Sequence, residues 1–225
     1  MERTFRPRTA AVHAAGAAIR WGWDKAFRWG SIVPGTRAAR HFGHFGDGSI
    51  IAFPMATLMN ERFIWVGEGV CVGPYCSLSA GIGPGQVLLR DPTLRIGDRS
   101  VIGRACAIAA HFEVVIGDGV WLAPDVFVTD QGHAWDDLDL PIGQQLGEAR
   151  PVAIGDGSWL GHGVIVLPGV TIGEHVAVGA GAIVTTDLPD RCVAVGAPAR
   201  PVREHHPAHG WVRSQQAATA DLRPA

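Results

Sequence analysis

The sequence has little charge and no long apolar run. Only 18% of its 225 residues are charged, while 47% are hydrophobic. No apolar stretch approaches the roughly 18 residues that a membrane-spanning helix needs, so we expect no such helix. The alanine-rich stretch 10–18 follows several arginines, but it is weakly apolar and contains His13. We therefore do not expect a cleaved signal peptide.

Cysteine is also scarce, and its spacing argues against a metal cluster. The four cysteines form no Cys-x-x-Cys pair. Two of them, Cys76 and Cys106, fall at the fifth position of a six-residue unit, where a small inward side chain is expected. We expect reduced core cysteines in a cytoplasmic protein, not disulfides or a zinc cluster, at Cys71, Cys76, Cys106 and Cys192.

Glycine is abundant, with 30 residues, and the chain repeats with a period of six. From Ile154 onward every sixth residue is aliphatic, and the residue after it is usually glycine. Neither a helix nor a simple strand has this period. It favours short strands joined by tight corners and stacked as a parallel β-helix. The aliphatic positions are Ile154, Leu160, Val166, Ile172, Val178 and Val184.

Earlier units of the same form predict a single repeat domain over residues 45–188. A helical arm at 1–44 precedes it, and a cap with a flexible tail at 189–225 follows it. The phase is lost near 57–63, across 81–95 and near Phe112. The most polar break is 130–151, which contains His133. Because a regular coil has no place for a polar loop, we expect the chemistry of the protein to lie in this insertion.

The N-terminal arm differs from the rest of the chain in charge. Residues 1–44 carry a net charge of +6 and the remaining residues −8. We expect a solvated basic helix face, with the tryptophans packed on the main body and the helix capping the first coil. Weak contact of this basic arm with an anionic membrane surface is the alternative. A helix is expected over 9–29, with one apolar face formed by Val12, Ala15, Ile19, Trp23 and Phe27.

Two sets of motifs resemble a known family. Units of the form aliphatic-Gly-x-x-small-x resemble those of the hexapeptide-repeat acyltransferases. The segment from Val128 to Ala134, Val-Thr-Asp-Gln-Gly-His-Ala, is similar to the galactoside/maltose O-acetyltransferase branch. The same branch is also similar to this chain in the segments 151–161, 166–173 and 195–203. The run 136–143 also resembles colanic-acid-type acetyltransferases. The resemblance implies an all-β fold, a left-handed parallel β-helix with an N-terminal α-helix and a short C-terminal cap.

The resemblance also implies a reaction. In that branch acetyl-CoA is the donor and a sugar hydroxyl is the acceptor, with no metal. The enzyme is a homotrimer whose sites lie between subunits. We expect no nucleic-acid partner. His133 falls on the position of the family's general base. A hydroxyl is a poor nucleophile until its proton is removed, and a neutral imidazole is suited to that task.

Four further residues are expected near the acceptor. Trp159 follows the Gly-Asp-Gly-Ser corner and resembles the aromatic residue beside the family's site. Trp135 is suited to cover the apolar face of a sugar ring, and Asp136 to orient the base or bind sugar hydroxyls. His111 falls where galactoside-type relatives have an acidic residue. Structural or solvent-exposed roles remain the alternative for each of them.

The family pattern places the coenzyme along the later coils. Small residues and corner backbone follow the pantetheine arm, here Ala180 and Thr185, with His162 where relatives often have serine. Arg200 and Arg203 are the basic residues expected near the nucleotide phosphates, since a guanidinium pairs well with phosphate oxygens. Thr186 stands where close relatives often have lysine.

Other functions of the same fold are less favoured. A zinc enzyme of the γ-carbonic anhydrase type needs a His-x4-His pair, and the ten histidines do not supply that spacing within the repeats. A non-catalytic trimeric scaffold would not require a histidine in the polar loop. An N-acyltransferase acting on an amino sugar remains an alternative to O-acyl transfer.

Overall fold

The computed structural model describes residues 10–214, where one α-helix precedes a long series of short strands. The helix α1 spans Ala10–Gly30, and short 3-10 helices span Ala39–His41, Glu61–Phe63 and Ile142–Gln144. In chain order the strands are β1 (His44–Phe45), β2 (Ile50–Ile51), β3 (Thr57–Met59), β4 (Ile64–Val66), β5 (Cys71–Val72), β6 (Ser77–Ala80), β7 (Leu94–Ile96), β8 (Val101–Ile102), β9 (Ala107–Ala110), β10 (Val114–Ile116), β11 (Trp121–Leu122), β12 (Phe127–Thr129), β13 (Val152–Ile154), β14 (Trp159–Leu160), β15 (Ile165–Val166), β16 (Thr171–Ile172), β17 (Ala177–Val178), β18 (Ile183–Val184), β19 (Cys192–Val195), β20 (Arg200–His206) and β21 (Gly210–Arg213).

Strands β1 to β18 pass through three parallel sheets in strict rotation. Sheet I holds β1, β4, β7, β10, β13 and β16. Sheet II begins with β2 and sheet III with β3, and each takes every third strand thereafter. Three strands therefore make one coil of a three-sided prism, and each coil pairs with the next along the axis. The expected parallel β-helix is confirmed.

The core is a set of aliphatic columns inside this prism. In sheet I, Ile96, Ile116, Ile154 and Ile172 pair in register along four successive coils, and each is almost completely buried. Each inward residue packs on its equivalents above and below, which removes its apolar surface from water. The six-residue period is the sequence signature of these columns.

At Gly155 and Gly161, the second positions of two units, glycine is required by the distance between coils. A Cβ atom added to Gly155 would lie 2.5 Å from the carbonyl carbon of Gly173 in the next coil. One added to Gly161 would lie 2.7 Å from the amide nitrogen of Ala180. The fourth position instead adopts a left-handed backbone, for example at His175, where φ is 53°. This conformation favours glycine but does not exclude other residues.

The first coil is not capped as expected. The apolar side chains of α1 are largely exposed, so the prediction that its tryptophans pack on the main body is wrong. The coil end is covered instead by the segment after the helix, where Ile32, Ala39 and Phe42 join the core. The helix is tied to the body at its C-terminal end, where the Ser31 hydroxyl donates to the carbonyl oxygen of Phe27 at 2.7 Å and accepts from the amide of Phe53 at 3.1 Å.

The last coil is closed by an antiparallel extension of sheet II. Strand β19 pairs parallel with β17, and β20 and β21 then add in antiparallel order. Residues 192–213 therefore form an ordered cap, and the tail expected at 215–225 lies outside the described residues. Among residues 10–214 no helix is long and apolar enough to cross a membrane.

The cysteines are free, and three of them are buried as expected. Cys76, Cys106 and Cys192 belong to the core, whereas Cys71 is exposed, contrary to the expectation for all four. Burial raises the pKa of the Cys192 thiol to about 11, which disfavours its reactive thiolate form.

Candidate active site

The irregular segments of the chain accumulate at one corner of the prism. This is the corner where the chain leaves sheet III and enters sheet I, called here the III–I corner. The segments 81–93, 111–113 and 130–151 each follow a strand of sheet III and precede a strand of sheet I. Loops in successive coils are therefore stacked beside one another. Within residues 10–214, polar loops are concentrated at the corner that holds the sequence-predicted insertion.

The insertion 130–151 folds back on itself as two antiparallel arms. The amide of Ala134 donates to the carbonyl oxygen of Gln145 at 3.0 Å, and the amide of Gly147 donates to that of Gly132 at 3.0 Å. His133 and Leu146 form an isolated antiparallel bridge between these contacts. The loop carrying His133 thus has backbone pairing of its own and does not depend on a strand of the coil.

A buried glutamine holds the tip of this loop. The side-chain amide nitrogen of Gln145 donates to the carbonyl oxygens of Asp137 and Leu140 at 2.7 and 2.8 Å. Its side-chain oxygen accepts from the amide of Asp137 at 3.2 Å. Because Gln145 is buried, the backbone groups that it satisfies have no easy access to water, and losing these bonds is costly. No local motif marked Gln145 in the sequence.

The same residue fixes one nitrogen of His133. The Nδ1 atom of His133 lies 3.2 Å from the backbone carbonyl oxygen of Gln145. A carbonyl oxygen can only accept, so this contact requires the proton to be on Nδ1. In the neutral ring Nε2 then carries the lone pair. This is the tautomer in which Nε2 can remove a proton from a bound hydroxyl.

A cavity of about 440 Å³ opens beside His133. Its volume lies in the range of small-molecule sites. It brings together three sequence-predicted residues: His133, Trp135 and Asp136. Trp135 is 75% exposed and offers an apolar face at the opening. The remaining lining residues are Gly132, Ala134, Gly147, Glu148, Arg150 and Pro168.

Six of the nine lining residues were not predicted as site residues, and three of these six have larger side chains: Glu148, Arg150 and Pro168. Glu148 and Arg150 lie on the returning arm of the loop, and Pro168 lies at the III–I corner of the next coil. Arg150 is placed by its backbone, which donates to the carbonyl oxygen of Asp130 at 2.8 Å and accepts from the amide of Gly169 at 3.1 Å. Pro168 belongs to the Leu-Pro-Gly run, and its position in the motif was the available signal.

His111 is held by a buried carboxylate and does not line this cavity. Asp130 is completely buried and accepts hydrogen bonds from the amides of His111, Phe112 and Glu113 at 2.7–2.8 Å. The Nδ1 atom of His111 lies 3.2 Å from an oxygen of the same carboxylate. Burial raises the pKa of Asp130, but the hydrogen bonds from the side chain of His111 and the three amides outweigh it and lower the pKa. An acceptor role for His111 therefore stays a prediction, whereas its anchoring by Asp130 is visible.

Trp159 lies on another side of the prism. It sits on β14 in sheet II, in register with Trp121 of the previous coil, and both side chains are about half exposed. Sheet II is the face opposite the III–I corner, because each coil has three sides. Within one chain, Trp159 and His133 therefore do not belong to the same cavity.

The predicted coenzyme residues divide between two corners. His162 and Ala180 lie at the corner between sheets II and III, called here the II–III corner, where His162 Nδ1 is 3.5 Å from a carboxylate oxygen of Asp125. Thr185 follows β18, and the Arg200 guanidinium reaches its neighbour Thr186 at 3.5 Å. Thr185 and Arg200 therefore lie close to each other, beside the last strand of sheet III.

Arg203 occupies a different environment from Arg200. It lies on β20 within sheet II, where it pairs in register with Val193 on one side and Arg213 on the other. The two arginines share a strand, but the structure places only Arg200 in contact with the turn after β18. Among residues 10–214, no group of three or more His, Cys, Asp or Glu side chains is arranged to hold a metal ion.

Comparison with known proteins agrees with this architecture. The family of bacterial transferases with the hexapeptide repeat, in six copies, matches residues 151–186. The galactoside O-acetyltransferase of Escherichia coli is 35% identical over 66% of this chain and 67% of its own length. A putative lipopolysaccharide biosynthesis O-acetyl transferase of E. coli is 31% identical over 70% of this chain and 79% of its own length. A probable acetyltransferase of Mycobacterium tuberculosis is 41% identical, but the match spans only 38% of its length.

Solved structures support the same fold. AntD, an N-acyltransferase from Bacillus cereus solved in complex with dTDP and 3-hydroxybutyryl-CoA, has a TM-score of 0.61 at 21% identity, covering 82% of this chain and 89% of AntD. A hexapeptide-repeat acetyltransferase of Vibrio cholerae has a TM-score of 0.51 at 25% identity, covering 74% and 76% of the two chains. The fold is therefore the left-handed parallel β-helix of hexapeptide repeats. The chain belongs to the hexapeptide-repeat acyltransferase family.

Replacing Asp130 with asparagine tests the anchoring of the 111–113 turn. An amide offers one acceptor atom where the carboxylate offers two, so we expect Asp130→Asn to lower the free energy of unfolding by about 1–3 kcal/mol near neutral pH. The folded-state pKa of Asp130 lies below its unfolded value. Its contribution is therefore full above the unfolded pKa of about 4 and is lost as the pH falls through the folded pKa.

Urea unfolding at about pH 7 and at successively lower pH below about 4 measures this difference. The difference in the free energy of unfolding between the wild type and Asp130→Asn should become smaller in acid. Asp118→Asn is the matched control, because Asp118 is a partly exposed carboxylate that accepts from the amide of Asp98. If this difference in the free energy of unfolding did not change with pH, the anchoring of the 111–113 turn by the charged Asp130 carboxylate would be contradicted.

Replacing Gln145 with leucine tests the support of the His133 loop. The change keeps the size of the side chain but removes its three hydrogen bonds. Because displacement of a catalytic group by about 1 Å can cost up to a hundredfold in rate, we expect kcat to fall tenfold to a hundredfold. The KM for acetyl-CoA should remain near the wild-type value. Gln144→Leu is the control, since Gln144 is the exposed neighbour; equal losses in both variants would argue against a positioning role for Gln145.

Proposed function

We propose that this protein is an O-acyltransferase that moves an acetyl group from acetyl-CoA to a hydroxyl of a sugar or glycoconjugate. The observation that carries the proposal is the fixed tautomer of His133, with Nδ1 on the carbonyl oxygen of Gln145 and the ring lining a cavity of small-molecule size. The names of the E. coli relatives, a galactoside O-acetyltransferase and a putative lipopolysaccharide O-acetyl transferase, support the acceptor class.

The reaction needs one base and a stabilised oxyanion. His133 Nε2 takes the proton of the acceptor hydroxyl as the oxygen attacks the thioester carbonyl carbon. The negative tetrahedral intermediate is stabilised by backbone N–H donors at a coil corner. Its collapse breaks the carbon–sulfur bond, and the thiolate of CoA receives the proton from the His133 imidazolium. An acetyl ester and CoA are the products.

The acceptor is proposed to occupy the cavity beside His133. Trp135 offers an aromatic face of the kind that packs on a sugar ring, and Asp136 offers a carboxylate for its hydroxyls. Trp159 and His111 complete the proposed acceptor set. Acetyl-CoA is proposed to follow His162, Ala180 and Thr185, with its phosphates near Arg200 and Arg203. The coenzyme complexes of AntD are consistent with this donor, although that similarity supports the fold alone.

The active site is proposed to form between subunits of a homotrimer. His133 and Trp135 lie at the III–I corner, whereas Trp159, His162 and Ala180 lie on sheet II and at the II–III corner. In a three-sided prism these groups cannot converge within one chain. A second copy, placed with its II–III corner against the His133 loop, brings them together. Closed cyclic symmetry then produces equivalent sites.

N-acyl transfer to an amino sugar is the second candidate. An amine also needs its proton removed during attack, so His133 suits that reaction as well. The AntD structures, which are those of an N-acyltransferase, share the fold. A panel of neutral sugars, glycosides and amino sugars, assayed by thiol release from acetyl-CoA, separates the two reactions. Turnover confined to amino sugars would replace the O-acyl proposal.

His133→Ala tests the general base. Removal of a positioned base costs about a hundredfold to ten-thousandfold in rate, so we expect thiol release to fall at least a hundredfold. Binding of CoA, measured by calorimetry, should be retained, because the proposed coenzyme residues lie on other coils. His44→Ala, which removes another exposed histidine, should leave the rate unchanged. Near-normal turnover by His133→Ala would rule out the mechanism.

Subunit mixing tests the shared site. Ala180 is exposed at the II–III corner, so Ala180→Trp should block the proposed coenzyme groove while leaving His133 intact. The two variants to be mixed are His133→Ala and Ala180→Trp, and each of them alone should be inactive. Co-assembled at equal amounts, they should recover about a quarter of wild-type activity, because about one site in four combines an intact loop with an intact corner. Mixed trimers that form and stay inactive would argue against a site shared between subunits.

A further inference from the structure

The helix α1 has an apolar side that no other part of residues 10–214 covers. Val12, Ala15, Ile19, Trp23 and Ala26 recur at three- and four-residue spacing and share this side. Ile19 is 72% exposed and Trp23 is 51% exposed. The helix has 21 residues and is therefore about 31 Å long. A row of exposed apolar side chains of this length is uncommon on a soluble surface that has no partner.

The opposite side of α1 is basic. Arg20, Asp24 and Arg28 follow one another at four-residue spacing, and Lys25 lies beside them. The described helix carries three cationic side chains and one carboxylate. An apolar side and a cationic side on the same helix are the features of a helix that lies in the interface of an anionic bilayer.

Trp23 lies on the apolar side of α1 and Trp29 lies at the border of that side, whereas Trp21 lies on the basic side. Trp29 is 78% exposed and Trp21 is 65% exposed. The ammonium of Lys25 lies between them, 5.7 Å from the ring centroid of Trp21 and 5.4 Å from that of Trp29. Tryptophan favours the headgroup region, where its ring is partly apolar and its N–H remains hydrated.

The distribution of charge selects this helix as the point of contact. Residues 1–44 carry +6 and the rest of the chain −8. An acidic body is repelled by an anionic surface, so contact through the basic arm is favoured. A second copy of α1 would bring cationic helices together, which disfavours helix–helix pairing as the way to cover the apolar side.

We propose that α1 docks the protein onto anionic lipid bilayers, with the side formed by Val12, Ile19 and Trp23 in the interface. The helix lies along the surface and does not cross it, in agreement with its limited hydropathy. The helix is linked to the coil at its C-terminal end, through Ser31. This proposal is independent of the proposed acyl transfer.

Vesicle flotation with the full-length protein tests the proposal. We expect the protein to float with vesicles of phosphatidylcholine and phosphatidylglycerol and not with phosphatidylcholine alone. Binding should weaken between about 0.1 M and about 1 M salt, as the Debye length falls from about 10 to about 3 Å. Arg20→Glu with Arg28→Glu should weaken partitioning at least about tenfold, and Trp23→Ala should also weaken it.

Matched variants on the coil separate docking from general effects of charge and hydrophobicity. Arg99→Glu with Arg104→Glu changes the net charge equally, and Trp211→Ala removes an exposed tryptophan outside the helix. Both should float like the wild type. The proposal is overturned if anionic vesicles do not bind the protein or if these controls lose binding equally. It is also overturned if the helix variants change the mass of the assembly in solution, which would place the apolar side against a second copy.

Discussion

The structure depends on strict registration of each coil over the next. Parallel backbone pairing stacks Ile116, Ile154 and Ile172 in one column, and the same pairing brings Gly155 against the backbone of Gly173. A side chain at that glycine would hold the coils apart and interrupt the ladder. Each unit therefore supplies an inward aliphatic residue, and a unit whose corner approaches the next coil as closely as Gly155 does must have no Cβ atom there. The other features of the molecule are attached to this rigid stack.

Registration also explains where the chemistry lies. Extra residues cannot enter a strand without shifting every column, so insertions are confined to corners. In this chain they occur repeatedly at the III–I corner, where 81–93, 111–113 and 130–151 lie in neighbouring coils. Asp130 connects two of them by accepting the amides of the 111–113 turn. The His133 loop is thus held at its start by the buried carboxylate of Asp130 and at its tip by Gln145. These contacts position this polar loop as firmly as a strand is positioned.

Much of the fold could be predicted because a six-residue period has few physical interpretations. The columns from Ile154 to Val184, the polar insertion and the helix at Ala10–Gly30 follow from pattern alone. The left-handed corners at Tyr75 and Ala105 could not be predicted, since neither residue type signals a positive φ. Glu148 and Arg150 were missed because the loop returns through hydrogen bonds of Gln145, which sequence spacing does not encode. The exposure of the apolar side of α1 was not predicted, because an apolar helix face indicates a binding partner but does not identify it.

The position of α1 relative to the coil affects the access of acceptors to the proposed site. The helix is tied to the body at its C-terminal end, and none of its described residues lines the His133 cavity, so the surfaces of the arm and the cavity are separate. Because the sites proposed for acceptor and coenzyme lie on the coil, a surface-bound helix leaves both of them accessible. Each copy in a cyclic trimer would also present its own helix, and several weak contacts with one surface bind far more tightly than one. If the proposed trimer forms, weak docking by each α1 would therefore add up to a tighter attachment of the assembly to an anionic surface.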